Sequence, residues 1–240
     1  MSEQNQLFPA TTIEENKGPV EPAKKNGERK IFNVKSVKEM TYQILDFKEE
    51  YSNLIGVPEA RFNMMAYGPS GSGKSTWMIK FADYLADSFG KTLYACYEER
   101  TNKTLQDRIN ECNIQSRKLY FGRDLSFEEL KKKMKANHYH FVIIDSVQYA
   151  NFSIEQLEDF RMTFKKKKRM GLIFVSFGTG LGKTDGAKEL LHASDVKLYF
   201  HNGKVLSHGR YIKEQIEQVI FTPLKKEAEE VSEENGIQNP

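Results

Sequence analysis

The stretch Gly68-Pro69-Ser70-Gly71-Ser72-Gly73-Lys74-Ser75-Thr76 decides how the rest of the chain is read. It satisfies the pattern G-x-x-x-x-G-K-[ST] at every fixed position. Immediately before it, Phe62-Asn63-Met64-Met65-Ala66-Tyr67 predicts a short buried strand. Immediately after it, the apolar positions from Trp77 to Leu85 recur at helical spacing. Strand, glycine loop and helix in that order are the context in which this pattern cradles phosphates.

The residue types have a chemical reason. A triphosphate needs many N–H donors converging on one small volume, and glycines let the backbone curl until successive amides point inward. A helix starting near Gly73 adds its unpaired N–H groups and the positive end of its dipole. Lys74 then reaches the β- and γ-phosphates, and the Ser75 hydroxyl can hold Mg²⁺. Gly68, Pro69, Ser70, Gly71, Ser72, Gly73, Lys74, Ser75 and Thr76 are therefore the candidate nucleotide-binding residues. The plainer alternative is a glycine-rich turn that only caps a helix.

Composition sets the bounds. The 240 residues hold one good-sized domain with length left for tails. With 29% charged and 39% hydrophobic residues the chain reads as soluble. No apolar run approaches the roughly 18 residues of a membrane span. Cys96 and Cys112 are the two cysteines, which implies no disulfide framework. The first residues lack the charged-then-apolar design of a secretion signal, so the expected compartment is the cytoplasm and no membrane is involved. Residues 1–30 carry five acids and five bases, and residues 225–240 two lysines and five glutamates. Both ends are expected to be disordered tails, the second acidic, flanking a domain over 31–224 that is mildly basic and compatible with nucleic acid.

Along that domain, buried strands are predicted at Thr92–Tyr97, His140–Asp145 and Gly171–Ser176, and a short strand at Lys118–Phe121. Helices are predicted over 101–112, from the capping-box pattern Ser126-Phe127-Glu128-Glu129 through Met134, and over 154–168. Asn202-Gly203 marks a hairpin between Lys197–Phe200 and Lys204–Leu206. The segments 42–51 and 211–221 read as strand or helix, and 177–186, with four glycines, as a mobile loop. Strands that are continuous apolar runs alternating with helices imply an α/β fold: a mostly parallel sheet covered by helices on both faces, with antiparallel strands at the C-terminal edge. Ligands in such folds sit at the carboxyl ends of the strands. The loop at 68, the pair Glu98-Glu99, Asp145 and Ser176 all stand there.

Asp145 follows four apolar residues and is the expected second magnesium residue, its competing role being a helix cap. Hydrolysis needs a carboxylate that positions or deprotonates water. Glu98 is the first choice because it continues the strand, and Glu99 the second. Gly178-Thr179-Gly180-Leu181-Gly182-Lys183-Thr184 imitates a second phosphate loop, but three residues separate Gly178 from Gly182 where four are required. The runs 131–135 and 165–169 are basic and read as a solvated helix face and end, or as phosphate-backbone contacts. Trp77 and the tyrosines read as core.

Taken together, the glycine loop, the segment Tyr94–Ile109 with its glutamate pair, Phe141–Gln148, Gly171–Lys183 and Ala193–Leu198 resemble the RecA-like P-loop ATPase core. The resemblance is nearest to the RadA branch, with KaiC and the DnaB helicases beside it. It implies ATP and Mg²⁺ as cofactors, Lys74 and Ser75 on the phosphates and metal, Asp145 on the metal through water, and Glu98 as base. It implies a homo-oligomer, hexamer or filament, and single-stranded DNA bound through the loop 177–186. Arg210 matches a family position that reaches the neighbour's γ-phosphate; its alternative is a solvated hairpin arginine. Departures are plain: the zinc finger and protease-like domain of RadA proteins are missing, so the expectation is a stand-alone core. Phe177 stands where relatives place a His or Gln sensor, and His208 replaces a lysine. The implied function is a Mg-ATP-dependent ATPase acting on DNA in recombination, repair or replication. A KaiC-like protein-assembly switch without DNA binding and a small-molecule kinase are the alternatives.

Overall fold

The computed structural model describes residues 31–98, 102–164, 169–179, 183–184 and 188–221. The expected tails at 1–30 and 225–240 lie outside these residues. The chain divides between Thr41 and Tyr42 into two compact units. In the first, α1 (Val34–Lys38) is capped by the Asn33 side chain, which accepts from the Ser36 amide at 2.8 Å, and buries none of its residues.

The second unit carries α2 (Glu49–Ile55), β1 (Asn63–Gly68), α3 (Lys74–Ser88), β2 (Thr92–Cys96), α4 (Lys103–Glu111), β3 (Leu119–Arg123), α5 (Phe127–Ala136), β4 (Phe141–Asp145) and α6 (Val147–Ala150). It continues through α7 (Ile154–Thr163), β5 (Gly171–Thr179), β6 (Lys183–Thr184), α8 (Lys188–Ala193), β7 (Val196–His201), β8 (Lys204–Gly209) and β9 (Ile216–Val219). The sheet runs β3-β2-β4-β5-β1-β7-β8-β9, with β6 attached to β5. Strands β3, β2, β4, β5, β1 and β7 are parallel, β8 runs antiparallel to β7, and β9 runs antiparallel to β8. This is the architecture the apolar runs predict.

The runs are continuous because each central strand feeds two cores. Met64 and Ala66 of β1, Ile143 of β4 and Ile173 of β5 pack with α2 and α3 residues such as Leu54, Trp77 and Phe81. Their neighbours Met65, Tyr67, Ile144 and Phe174 pack with Leu130, Leu157 and Leu190 from α5, α7 and α8. Successive side chains on a strand point to opposite faces, so both parities must be apolar when both faces are covered. In β7 the pattern relaxes: Val196, Leu198 and Phe200 are buried, while Lys197, Tyr199 and His201 are half-buried.

Local signals act where expected. The Ser126–Glu129 capping box opens α5, and a second, Ser153–Gln156, opens α7. The Phe89 and Gly90 amides both donate to the Leu85 carbonyl and close α3 before Gly90. Of the ambiguous segments, 42–48 is irregular apart from a bridge between Ile44 and Glu59 and leads into α2 at Glu49, and 211–221 contains β9. Two expectations need correction. The stretch 177–186 is no loop at its start: β5 runs on to Thr179, because its backbone finds partners beyond Ser176 on β1 (Gly68 with Phe177) and on β6 (Gly178 with Thr184). Residues 180–182 and 185–187 lie outside the described residues. Nor are all the tyrosines core: Tyr42, Tyr120 and Tyr149 are exposed, whereas Trp77 is buried as expected. Of the helix expected over 154–168, the described part ends at Thr163, and 165–168 lie outside.

Phe81 is fully buried, with ring centroids of Tyr51, Trp77 and Phe47 at 4.9, 5.1 and 5.7 Å. Phe81→Ala is expected to lower the unfolding free energy by about 3–5 kcal/mol, read as a shifted urea midpoint at unchanged slope.

Candidate functional site

The register of the parallel strands brings the candidate residues to one edge. Gly68 pairs with Phe177, Asp145 with Val175, and Cys96, two residues before Glu98, with Asp145. β4 and β2 therefore end at the level of Val175 and β1 at that of Phe177, while β5 runs on past them to Thr179. A cavity of about 630 Å³ opens there, lined by the loop residues Ser70 to Thr76 together with Glu98, Ser146, Ser176 and Phe177.

Two glycines of the loop have steric reasons to be glycine. At Gly68, φ is 150° and a Cβ would lie 2.0 Å from the Phe200 carbonyl oxygen. At Gly73, φ is 89° and a Cβ would lie 2.4 Å from the Phe221 ring. Gly73 also precedes α3 without any side-chain cap, and no acidic residue occupies the first turn, so the positive helix end faces the cavity uncompensated.

Lys74 is 7% exposed. Its ammonium donates to the carbonyls of Gly68 and Pro69 at 2.8 and 2.7 Å and to the Ser72 hydroxyl at 3.4 Å. It lies 5.8 Å from the centroid of the Phe177 ring. Burial pushes its pKa below the ordinary lysine value, and the negative charges of Glu98 and Asp145 pull it back. Ser75 is half-buried on the cavity wall. Glu98 is exposed to the cavity. Glu99 lies outside the described residues.

Asp145 is 4% exposed, and Oδ2 accepts from the Tyr94 hydroxyl at 2.9 Å. Tyr94 faces Ile143 across the β2–β4 pair, so its long ring reaches the diagonal neighbour two residues on. Burial raises the Tyr94 phenol well above its usual range, and the Asp145 charge adds to this, so the group stays a donor. Beyond Asp145, β4 ends and β5 continues without it. There Gln148 of α6 takes the place of a strand: its amide donates to the Ser176 hydroxyl at 2.7 Å and accepts from the Phe177 amide at 3.3 Å.

The structure does not bring Arg210 to this cavity. It follows β8 at the level of Val196, beside the amino end of β1, and its guanidinium donates to Asp195 at 2.7 Å while remaining 70% exposed. Asp195 also accepts from the Asn63 amide at 3.0 Å. In the basic run of α5, Lys131 is ion-paired with Asp159 of α7, so part of that run serves the fold. Three residues in or behind the cavity carry little signal in the sequence. Tyr94 reads as one more strand aromatic. Ser146 hides behind Asp145. Phe221 lies in a segment with no clear periodicity, yet β9 antiparallel to β8 delivers it to the loop, with its amide on the Gly203 carbonyl at 3.1 Å. Among the described residues no group of three or more His, Cys, Asp or Glu forms a metal cluster, and no helix is long and apolar enough to cross a membrane.

No family model matches the chain. By sequence it is similar to proteins named DNA repair protein RadA. That of Chlamydia pneumoniae is 28% identical over 155 residues, covering 60% of this chain and 33% of the relative. That of Helicobacter pylori (strain J99) is 28% identical over 144 residues, covering 55% of this chain and 32% of the relative. The chain thus spans about a third of the length of the curated relatives it matches. Among solved structures it is similar to the flagellar accessory protein FlaH from Methanocaldococcus jannaschii, with TM-score 0.51 at 15% identity over 71% of this chain and 88% of that one. The fold is RecA-like, and the sequence likeness is to RadA.

Tyr94→Phe keeps the ring and removes the donor to Asp145. It is expected to cost about 1.5–3 kcal/mol of stability at neutral pH, with the loss shrinking in acid as carboxylates are protonated, measured by urea unfolding across pH.

Proposed function

From a RecA-like P-loop core with sequence relatives in RadA, we propose that this protein binds Mg-ATP, hydrolyses it, and acts on DNA in recombination, repair or replication as a ring or filament. The observation that carries the nucleotide reading is the buried Lys74 ammonium held on its own glycine loop at the mouth of a cavity that Glu98 and Ser75 also line.

The residues suit the roles. Lys74 and the amides of 70–75 hold the phosphates, and Ser75 and Asp145 hold the metal. Bound magnesium supplies positive charge against the phosphoryl oxygens. Glu98 positions the attacking water and takes its proton. Tyr94 keeps the Asp145 carboxylate oriented. Arg210 contributes to the neighbouring copy's site: it stands at the opposite edge of the sheet from its own cavity, as a head-to-tail assembly requires of a donated group. The DNA part of the proposal draws on the name of the RadA relatives and on the antiparallel pair of β5 and β6 that continues from the cavity wall at Phe177. A protein-assembly switch without DNA binding is the second reading. The two part on one measurement: a salt-dependent affinity for single-stranded DNA supports the first, and its absence with ATPase activity intact supports the switch.

Lys74→Ala is expected to weaken binding of a fluorescent ATP analogue by more than about tenfold. Glu98→Gln is expected to lower turnover by about 10²–10⁴ while ATP still binds; full turnover in that variant removes the base from Glu98 and leaves Glu99 as the candidate. Arg210→Ala and Lys74→Ala, each inactive alone, are expected to regain part of the activity when mixed, because some interfaces then join an intact Lys74 to an intact Arg210. No recovery at any ratio excludes the shared site.

A further inference from the structure

Ser146 directly follows Asp145 with φ 74° and ψ 93°. Residues other than glycine seldom adopt a positive φ, and those that do cluster at functional sites. The residue is 2% exposed, and its hydroxyl has no hydrogen-bond partner among the described residues. The obvious structural use of a serine here is to cap α6, but the side chain makes no capping bond; only its carbonyl is used, accepting from the Ala150 amide at 3.0 Å. A strained backbone and a buried, unmade hydrogen bond both cost the ligand-free protein.

The surroundings of the hydroxyl indicate what would offset that cost. Ser146 lines the cavity together with Lys74, Ser75, Glu98 and Ser176. Lysine, loop amides and an open helix start make this a cavity for an anion. Its place in the sheet narrows the choice of anion oxygen. The glycine loop follows β1, whereas Ser146 follows β4, with β5 between them and β2, the strand of Glu98, on the far side. Inner phosphates on the loop leave the terminal one towards β5, β4 and Glu98.

We propose that the Ser146 hydroxyl is a ligand of the terminal phosphate of a bound nucleoside triphosphate, donating a hydrogen bond to one of its oxygens. The proposal rests on the nucleotide reading above and adds to it a residue that separates triphosphate from diphosphate.

The test uses the 240-residue chain with Ser146→Ala and Ser146→Gly, measuring melting without nucleotide and the affinities for fluorescent ATP and ADP analogues in Mg²⁺. Without nucleotide, Ser146→Ala is expected to melt no lower than the parent, since it removes a hydroxyl that has no partner. Its ATP affinity is expected to fall about tenfold or more, as for one lost hydrogen bond to a charged acceptor, with ADP affinity unchanged. An unchanged ratio of ATP to ADP affinity overturns the proposal. So does a ligand-free Ser146→Ala that melts below the parent, because the hydroxyl would then serve the fold. If Ser146→Ala does not fold, Ser146→Gly, which suits a positive φ, decides by the same ratio. A parent that binds neither nucleotide, indistinguishable from Lys74→Ala, overturns the nucleotide reading itself and the proposal with it.

Discussion

The in-register parallel pairing of β1, β5, β4 and β2 is the constraint on which the rest of the molecule depends. Because the ladder pairs Gly68 with Phe177, Asp145 with Val175 and Cys96 with Asp145, the ends of β1, β4 and β2 lie within two residues of one another along β5, and the connections leaving these strands start from one edge. Each connection then supplies what its first residues carry: a glycine loop and lysine, an aromatic hairpin, an aspartate with a strained serine, and a glutamate. A register slip of one residue would turn every side chain of a strand to the other face. In a sheet with apolar cores on both sides such a slip would cost little in burial, so the polar residues at the strand ends, and the close approach at Gly68, help define the register as much as the cores do.

The three strands at the other side of β1 do something different with the same edge. The hairpin of β7 and β8 reverses at Asn202-Gly203, and β9 returns along β8. The chain thus arrives at Phe221 above Gly73, with Val219, Ile220 and Phe221 on the cavity wall. The same reversal leaves Arg210 at the amino edge, held by Asp195. One antiparallel excursion therefore places an apolar wall beside the phosphate loop and an exposed cation far from it. Only the Arg210 end of this pair is exposed; Asp195 is 8% exposed and has the Asn63 amide as a second donor.

Much of the architecture was legible because its signals are local. The strand–glycine–helix succession around residue 68, the apolar runs at Phe141–Ile144 and Gly171–Val175, the capping box at Ser126 and the Asn202-Gly203 turn each act within a few residues. What stayed hidden depends on contacts between distant segments. The reach of Tyr94 to Asp145 is a diagonal across two strands, invisible until the register is known. Phe221 becomes part of the cavity only through the return of β9. The extension of β5 to Thr179 ran against its glycine content, because Gln148 and Gly68 supply backbone partners that composition does not record. The strain at Ser146 left no trace at all: a serine after a strand-ending aspartate looks like an ordinary helix cap.

Lys74 and Ser146 show how such a site sets its affinity. Lys74 is satisfied without a ligand, by two carbonyls and a hydroxyl of its own loop. An incoming phosphate must replace those bonds, so the ammonium contributes only the difference between an anionic acceptor and neutral ones, in a pocket whose burial strengthens the former. The Ser146 hydroxyl has no hydrogen-bond partner among the described residues, so on the proposal above a phosphate oxygen there would replace no bond within the protein. A hydroxyl left unpaired at the far end rewards the ligand long enough to reach it. On this reasoning the discrimination between triphosphate and diphosphate comes less from the strongest charge in the site than from its least satisfied neutral group.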